Sequence, residues 1–597
     1  MAGEAPGRAA ESGTPPSARF ALWTLIALAV VAPWPFGSTP SWAVRSITWI
    51  SLATAVVVSL AQVRRGALCL PRVPLWPVAI LVAAGFMQLV PLAAGLHAVV
   101  APGSASVWHP TEPAAHALLG PRARPISIDP AATSAWLGLT SGVVAVGLLA
   151  APALGRRRTM MAAAWTLVGA GSLVAVYGIV ARTAFGPLLY GYIAVPTVSP
   201  LGPFVNKNHF AGYVEMPALL ALGLGRGLWR QAASGPSAAA PSASPSALVA
   251  FGASAIMVTA VLLSMSRGGA LGVLSGIAVL AVVDFMTARH RGAMGKVMVP
   301  VGLLLLLAVL VAVMPGEVHE RLLGIGRPSD NSTLYRKAIW KDALRAWKAS
   351  PLFGQGMGAF ADVIPRFKTS AGQFRVEHPE NEPIEIAVEG GLVALAAAAT
   401  AVVVALARSV RAIRGHRDRV LRGIVTGALA GVVALIVHGL VDFNLRVPSN
   451  AIMFVALYAV VVAPLGTMTS QGRSRWYLVA ALAAIAITYA RAADAWPLLR
   501  EAHASAVKAA QSDTLAGAAL RVSMADARVR EYLRRRPADP EGWLLAAWTT
   551  AANGRGDHPD GPVLSLTFAR RLRLERGYDA ADLVRAAIRK RPANPRW

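Results

Sequence analysis

Long apolar runs separated by short polar stretches fill most of the chain. A bilayer core of about 30 Å needs roughly 20 apolar residues in helical form. Runs of that kind fall at 20–37, 43–62, 75–95, 133–153, 159–181, 209–229, 248–265, 268–287, 297–315, 384–407, 423–441, 448–466 and 476–493. The first run is read as an anchor rather than a cleaved leader, because Trp34, Pro35 and Phe36 stand where a small-residue cleavage site would be. The pattern predicts an all-α, polytopic transmembrane helix bundle of about 12–13 spans. A short segment 1–19 precedes a first half, 20–230, and a linker, 231–247, leads to a second half, 248–493. The second half carries a long loop, 316–383, and the chain ends in a small helical tail, 494–597.

Composition agrees: 55% of the 597 residues are hydrophobic and 15% charged, against about 25% charged in soluble domains. The formal charge of +27 does not call for nucleic acid, because polytopic proteins collect Arg at cytoplasmic loops. One set of alternate short loops runs from Arg8 and Arg19 through Arg64, Arg156, Arg226, Arg289 and Arg408 to Arg473. It holds twenty-one Lys/Arg against six in the opposite set. The first set is therefore predicted inside, with loops 96–132, 182–208, 316–383 and the tail outside. The single cysteine, Cys69, excludes an internal disulfide and a cysteine-based zinc site.

The linker QAASGPSAAAPSASPSA cannot build a core. No repeat relates the two halves, which weakens a transporter reading based on inverted repeats. In the tail, RRRPADPEGW (534–543) and RKRPANPRW (589–597) look like tetratricopeptide-type turns between helices, although they lie farther apart than one repeat of about 34 residues. Such a tail implies either a docking surface for a protein partner or a plain helical cap.

Four polar clusters fall at the predicted outer face, where polar groups at span ends are functional candidates. Ser266-Arg267-Gly268-Gly269 is a tight turn between two spans, and its guanidinium suits bidentate phosphate binding. Asn206-Lys207-Asn208-His209 precedes a span containing Glu215; Lys207 is a second phosphate candidate and the asparagines suit sugar hydroxyls. Within 316–383, Ser332 to Pro351 reads as an amphipathic helix with Tyr335, Ile339, Trp340, Leu344 and Trp347 among Arg336, Lys337, Lys341, Arg345 and Lys348. Gly354-Gln355-Gly356-Met357-Gly358 follows as a flexible turn. His378-Pro379-Glu380-Asn381-Glu382 then opens a span on which Glu382, Glu385 and Glu389 share one face. That group suits general-base work or a charged helix cap, and its spacing is not diagnostic of a metal site. His438 and Asp442, four residues apart, read as an ion-paired latch.

Taken in order, VNKNHFAGY (205–213), SMSRGGALG (264–272), SPLFGQGMGAF (350–360), HPENEPIEIAVEGGL (378–392) and HGLVDFNLRVPSNA (438–451) resemble the O-antigen ligase and O-antigen polymerase superfamily. The resemblance implies glycan transfer at the periplasmic face of the bacterial inner membrane, without metal, nucleotide or other cofactor. The implied donor is an undecaprenyl-diphosphate-linked glycan. The implied acceptor is lipid A–core, a second glycan chain or a protein hydroxyl. By the same resemblance Arg267 holds the donor diphosphate and Arg336 is the second arginine. Family members often read His-x-His-Asn at the fourth motif. Here Glu380 stands at the second His, His378 at the first and Asn381 at the Asn, so the base is Glu380, His378 or neither. The competing readings are a transporter or flippase of lipid-linked glycan and a non-catalytic scaffold of the assembly machinery.

Overall fold

The computed structural model describes residues 15–111, 113–195, 199–233, 244–287, 331–369, 376–492, 496–510 and 515–553. The protein is an all-α polytopic bundle with almost no sheet. Among the described residues, eight helices are long and apolar enough to cross a membrane: Ser41–Arg64, Pro130–Gly155, Arg157–Phe185, Pro245–Leu263, Arg267–Met286, Glu382–Gly415, Arg419–His438 and Pro448–Leu465. Each coincides with one expected span.

The other five expected spans differ in instructive ways. The run at 209–229 is the helix Lys207–Ala232, long enough but burdened with polar residues. The first and last runs form the shorter helices Pro16–Val31 and Arg475–Arg491. The run at 75–95 forms only Trp76–Met87, about 18 Å long at 1.5 Å per residue and too short for the hydrocarbon core. It stops at Gln88, whose amide donates to the carbonyls of Phe353 and Glu389, both at 2.7 Å, and accepts from the Met357 amide at 2.8 Å. Residues 297–315, most of the linker and the second tail turn lie outside the described residues.

The chain divides into two compact units. The first comprises Met1–Pro74, Leu139–Asp330 and Ala401–Ala484. At its centre, Lys207–Ala232 and Arg419–His438 approach through glycines. A Cβ on Gly223 would strike Gly427, and one on Gly227 would strike the Arg419 carbonyl, the small-residue contact that lets membrane helices pack closely. The helix Arg267–Thr287 joins them, with Gly276 against Leu219 and the Ala430 carbonyl. One end of this core collects basic residues: Arg230 pairs with Asp284 at 2.7 Å, Arg226 bonds the same carboxylate, and Arg157 pairs with Asp418 at 3.1 Å. The opposite end carries Asn206–His209, Ser266–Gly269 and His438–Asp442.

The second unit comprises Leu75–Gly138, Asn331–Thr400 and Ile485–Trp597. Its amphipathic helix is Asn331–Lys348. Ile339, Ala343 and Ala346 are buried with Phe360, Val363 and Val388, while Tyr335 and Leu344 remain exposed. The tail helices Trp496–Ala510, Leu515–Arg535 and Pro540–Asn553 share a core with Ala115, Leu118 and Leu119. Its RRRPADPEGW turn is fixed by Arg536, which bridges Asp129 at 3.1 Å and Asp362 at 2.6 Å.

Candidate active site

In the first unit the SRGG segment ends the turn between Pro245–Leu263 and the helix that begins at Arg267. The Ser264 hydroxyl accepts from the Ser266 amide and the Ser266 hydroxyl from the Gly269 amide, both at 3.1 Å, which ties the turn down. Met265 sits at φ +56, a left-handed conformation that costs a residue with a side chain roughly 1–3 kcal/mol and concentrates at functional sites. Arg267 is therefore presented, part-buried, from a strained and tightly bonded turn at a helix N-terminus, which favours anions.

Beneath that turn lies a fully buried polar cluster. Gly268 packs on the His438 ring and Gly272 on the Glu215 carboxylate. His438 Nδ1 is 3.1 Å from Glu215 Oε2, and neither side chain is exposed. On the far side, His438 Nε2 is 4.0 Å from Asp442, and His209 Nε2 is 3.5 Å from the same carboxylate. Burial alone would raise the Asp442 carboxyl, but the rings of His209 and His438 hold it down at about 2. The expected His438–Asp442 latch is thus one link of a longer chain, and its shorter contact is to Glu215, which no spacing in the sequence connects to it.

Asn206 is the N-cap of Lys207–Ala232, accepting from the Asn208 amide at 2.9 Å. His209 is buried on Asp442, and the His209 carbonyl accepts from Asn450 at 3.0 Å. Lys207 and Asn208 are half-buried in the first turn.

In the second unit the segment 350–360 wraps the start of Glu382–Gly415. That helix breaks at Gly391 (φ +66), where a side chain would strike Leu352. The amides of Gln355 and Gly356 donate to the Glu389 carbonyl at 3.1 and 2.9 Å, and the Leu392 amide donates to Pro351 at 2.8 Å. The glycine-rich turn is a backbone clamp on the helix mouth. Asn381 caps that mouth through the Ile384 amide at 2.9 Å. Glu380 adopts φ +53, a second strained non-glycine residue.

Two pairs result. Arg336 donates through Nε to Glu380, so the expected second arginine and one expected base are bonded to each other. His378 Nδ1 lies 2.8 Å from Glu385 Oε1; the imidazole is 29% exposed and the carboxylate 1%. A buried carboxylate behind a reachable imidazole fixes the ring and its tautomer and stabilises the imidazolium after proton uptake. Sequence reading put Glu385 on the right helix face without giving it this partner; the signal was the seven-residue separation across the start of a helix.

Residues 252–399 match the family model described as O-antigen ligase. Over that stretch the chain is similar to the O-antigen ligase family. The matched stretch contains Arg267, Arg336, His378, Glu380, Asn381 and Glu385, whereas the 206–215 and 438–442 clusters lie outside it. No curated protein matches the chain. The apolar helices and this match together support a multi-pass membrane enzyme of the O-antigen ligase or polymerase type in polysaccharide assembly.

Proposed function

We propose that the protein transfers an undecaprenyl-diphosphate-linked glycan to an acceptor hydroxyl at the periplasmic face of the inner membrane. Arg267, with Lys207, holds the diphosphate and stabilises the charge that grows on it as the anomeric bond breaks. Electrostatic stabilisation of this kind is often the largest single contribution to catalysis. Arg336, bonded to Glu380 in its own unit, is the second candidate for the donor phosphates. His378 is the general base: with its Nδ1 proton directed to Glu385, Nε2 takes the proton of the acceptor hydroxyl as that oxygen attacks. The diphosphate leaves from the opposite face, the anomeric centre inverts, and no metal takes part.

The observation that supports His378 over Glu380 is the 2.8 Å contact to a buried Glu385. Glu380 would have to give up its ion pair with Arg336 before accepting a proton. Asn206, Asn208, His209 and Asn381 order the two helix mouths that carry these groups. Arg267→Ala, expressed to wild-type level in a deletion strain, is expected to abolish glycan transfer. Wild-type transfer by that variant would remove Arg267 from the mechanism. Tyr192→Cys in a Cys69→Ala background tests the face, because Tyr192 is exposed in the loop 182–208 expected on the same side as Arg267: labelling by a membrane-impermeant maleimide from the periplasm is expected, and labelling only after lysis would overturn it.

A further inference from the structure

A cavity of about 290 Å³ in the second unit takes no part in the chemistry above. Its lining includes Trp108 and five arginines, Arg124, Arg491, Arg534, Arg535 and Arg536, against one carboxylate, Asp129. The local structure explains the gathering. Arg534 and Arg535 end the helix Leu515–Arg535, and Arg536, turned inward onto Asp129 and Asp362, anchors their turn. Arg124 is held by the strand pairing of Leu92 with Arg124, stacks 5.0 Å over Trp108 and donates to the Leu119 carbonyl. Arg491 closes the last turn of Arg475–Arg491.

Positive charge here exceeds its compensation. Glu531 bonds Arg535 at 2.9 Å and reaches Arg534 at 3.6 Å. Among the described residues neither Arg124 nor Arg491 has a carboxylate partner, and Arg124 Nε is buried without a hydrogen bond. Burial, with the charges of Arg122 and Arg534, pushes the Arg124 guanidinium below its ordinary range. Like charges brought together in this way are stabilised by an anion. Guanidinium forks match phosphate oxygens two at a time. The volume lies at the small end of ligand pockets, which run about 300–1,000 Å³, so it suits a headgroup rather than a sugar chain.

We propose that this cavity binds a phosphate-bearing group, a phosphomonoester or diphosphate, through Arg124, Arg491, Arg534 and Arg535, with Arg536 as the structural anchor of the site. The site does not depend on the transfer mechanism and shares no residue with it. Its ligand is either free in solution or the headgroup of a membrane lipid, and Arg491, at the end of an apolar helix, is suited to the second.

The test is calorimetric titration of the full chain in uncharged detergent with inorganic pyrophosphate and, separately, with farnesyl diphosphate in mixed micelles. Saturable binding is expected in the wild type and in Arg267→Ala, and in the Arg267→Ala background it is weakened at least tenfold by Arg534→Gln/Arg535→Gln and by Arg124→Gln. Tighter binding of the farnesyl probe would identify a lipid headgroup, and equal binding a free phosphate; both support the site. Exposed Arg491→Gln supplies the same test if Arg124→Gln lowers the melting temperature without ligand. Binding lost in Arg267→Ala but kept in the Arg534/Arg535 and Arg491 variants would overturn the proposal, as would no saturable binding of either probe.

Discussion

Two histidine–carboxylate clusters in this protein use the same chemical parts in different surroundings. In the first unit Glu215, His438, Asp442 and His209 are sealed among glycine-packed helices, and the central pair has no exposure at all. In the second, Glu385 is equally buried, but its partner His378 is 29% exposed. A sealed pair is closed to proton exchange with a substrate, and this one packs between the helices beneath the Arg267 turn. A carboxylate behind a reachable imidazole has the arrangement of a positioned base. Access, rather than residue type, separates the two.

The comparison breaks if the sealed cluster behaves like the reachable one. His438→Ala leaves Glu215 buried without its imidazole, and losing one partner of a buried pair costs about 3–5 kcal/mol. The variant should accumulate poorly and melt well below the wild type, with Glu215→Gln in the same chain restoring part of the loss. A normally folded His438→Ala that lacks only transfer would move this cluster into the chemistry.

A smaller effect is expected at the tail anchor. Arg536→Ala leaves the buried Asp129 carboxylate without its cation, a loss at the low end of the same range, about 3 kcal/mol. Limited proteolysis should then cut first within 496–553. Unchanged resistance would show that the apolar core around Trp543 and Trp548 holds the tail alone.

Glu385→Gln keeps the shape of the reachable dyad but removes the charge behind His378, and should lower transfer about 10–100-fold with normal accumulation. A loss of protein instead would make Glu385 a stability residue like Glu215.

The smallest effect is a pH dependence. Burial, partly offset by Arg536, raises the Asp129 carboxyl to about 6. A carboxyl raised on folding contributes stability that is fully present below its ordinary range near 4 and is lost as pH rises through about 6. The melting temperature of the wild type should therefore fall relative to Asp129→Asn between pH 4 and 7. Parallel curves would contradict the raised value.

Much of this was legible in the sequence because span length and apolarity are local properties. Eight expected spans coincide with helices long enough to cross a membrane. The run at 75–95 misled because apolarity cannot show that Gln88 finds three backbone partners far along the chain. Arg267 stood out through its glycines, and the His378 motif through its clustered charge. The pairings did not. Glu215 meets His438 across 223 residues, and Arg336 meets Glu380 across a stretch that no helical spacing relates. Periodicity reports which face a residue shares, and only the packing of helices reports its partner.

The most direct measurement compares His378→Ala with Glu380→Gln in a purified transfer assay using a polyprenyl-diphosphate glycan donor, with both proteins shown to melt like the wild type. A positioned general base contributes typically 10²–10⁴-fold. His378→Ala is expected to lose that much, while Glu380→Gln stays within about tenfold of wild type. Transfer that survives the histidine change and fails with the glutamate change would contradict the account.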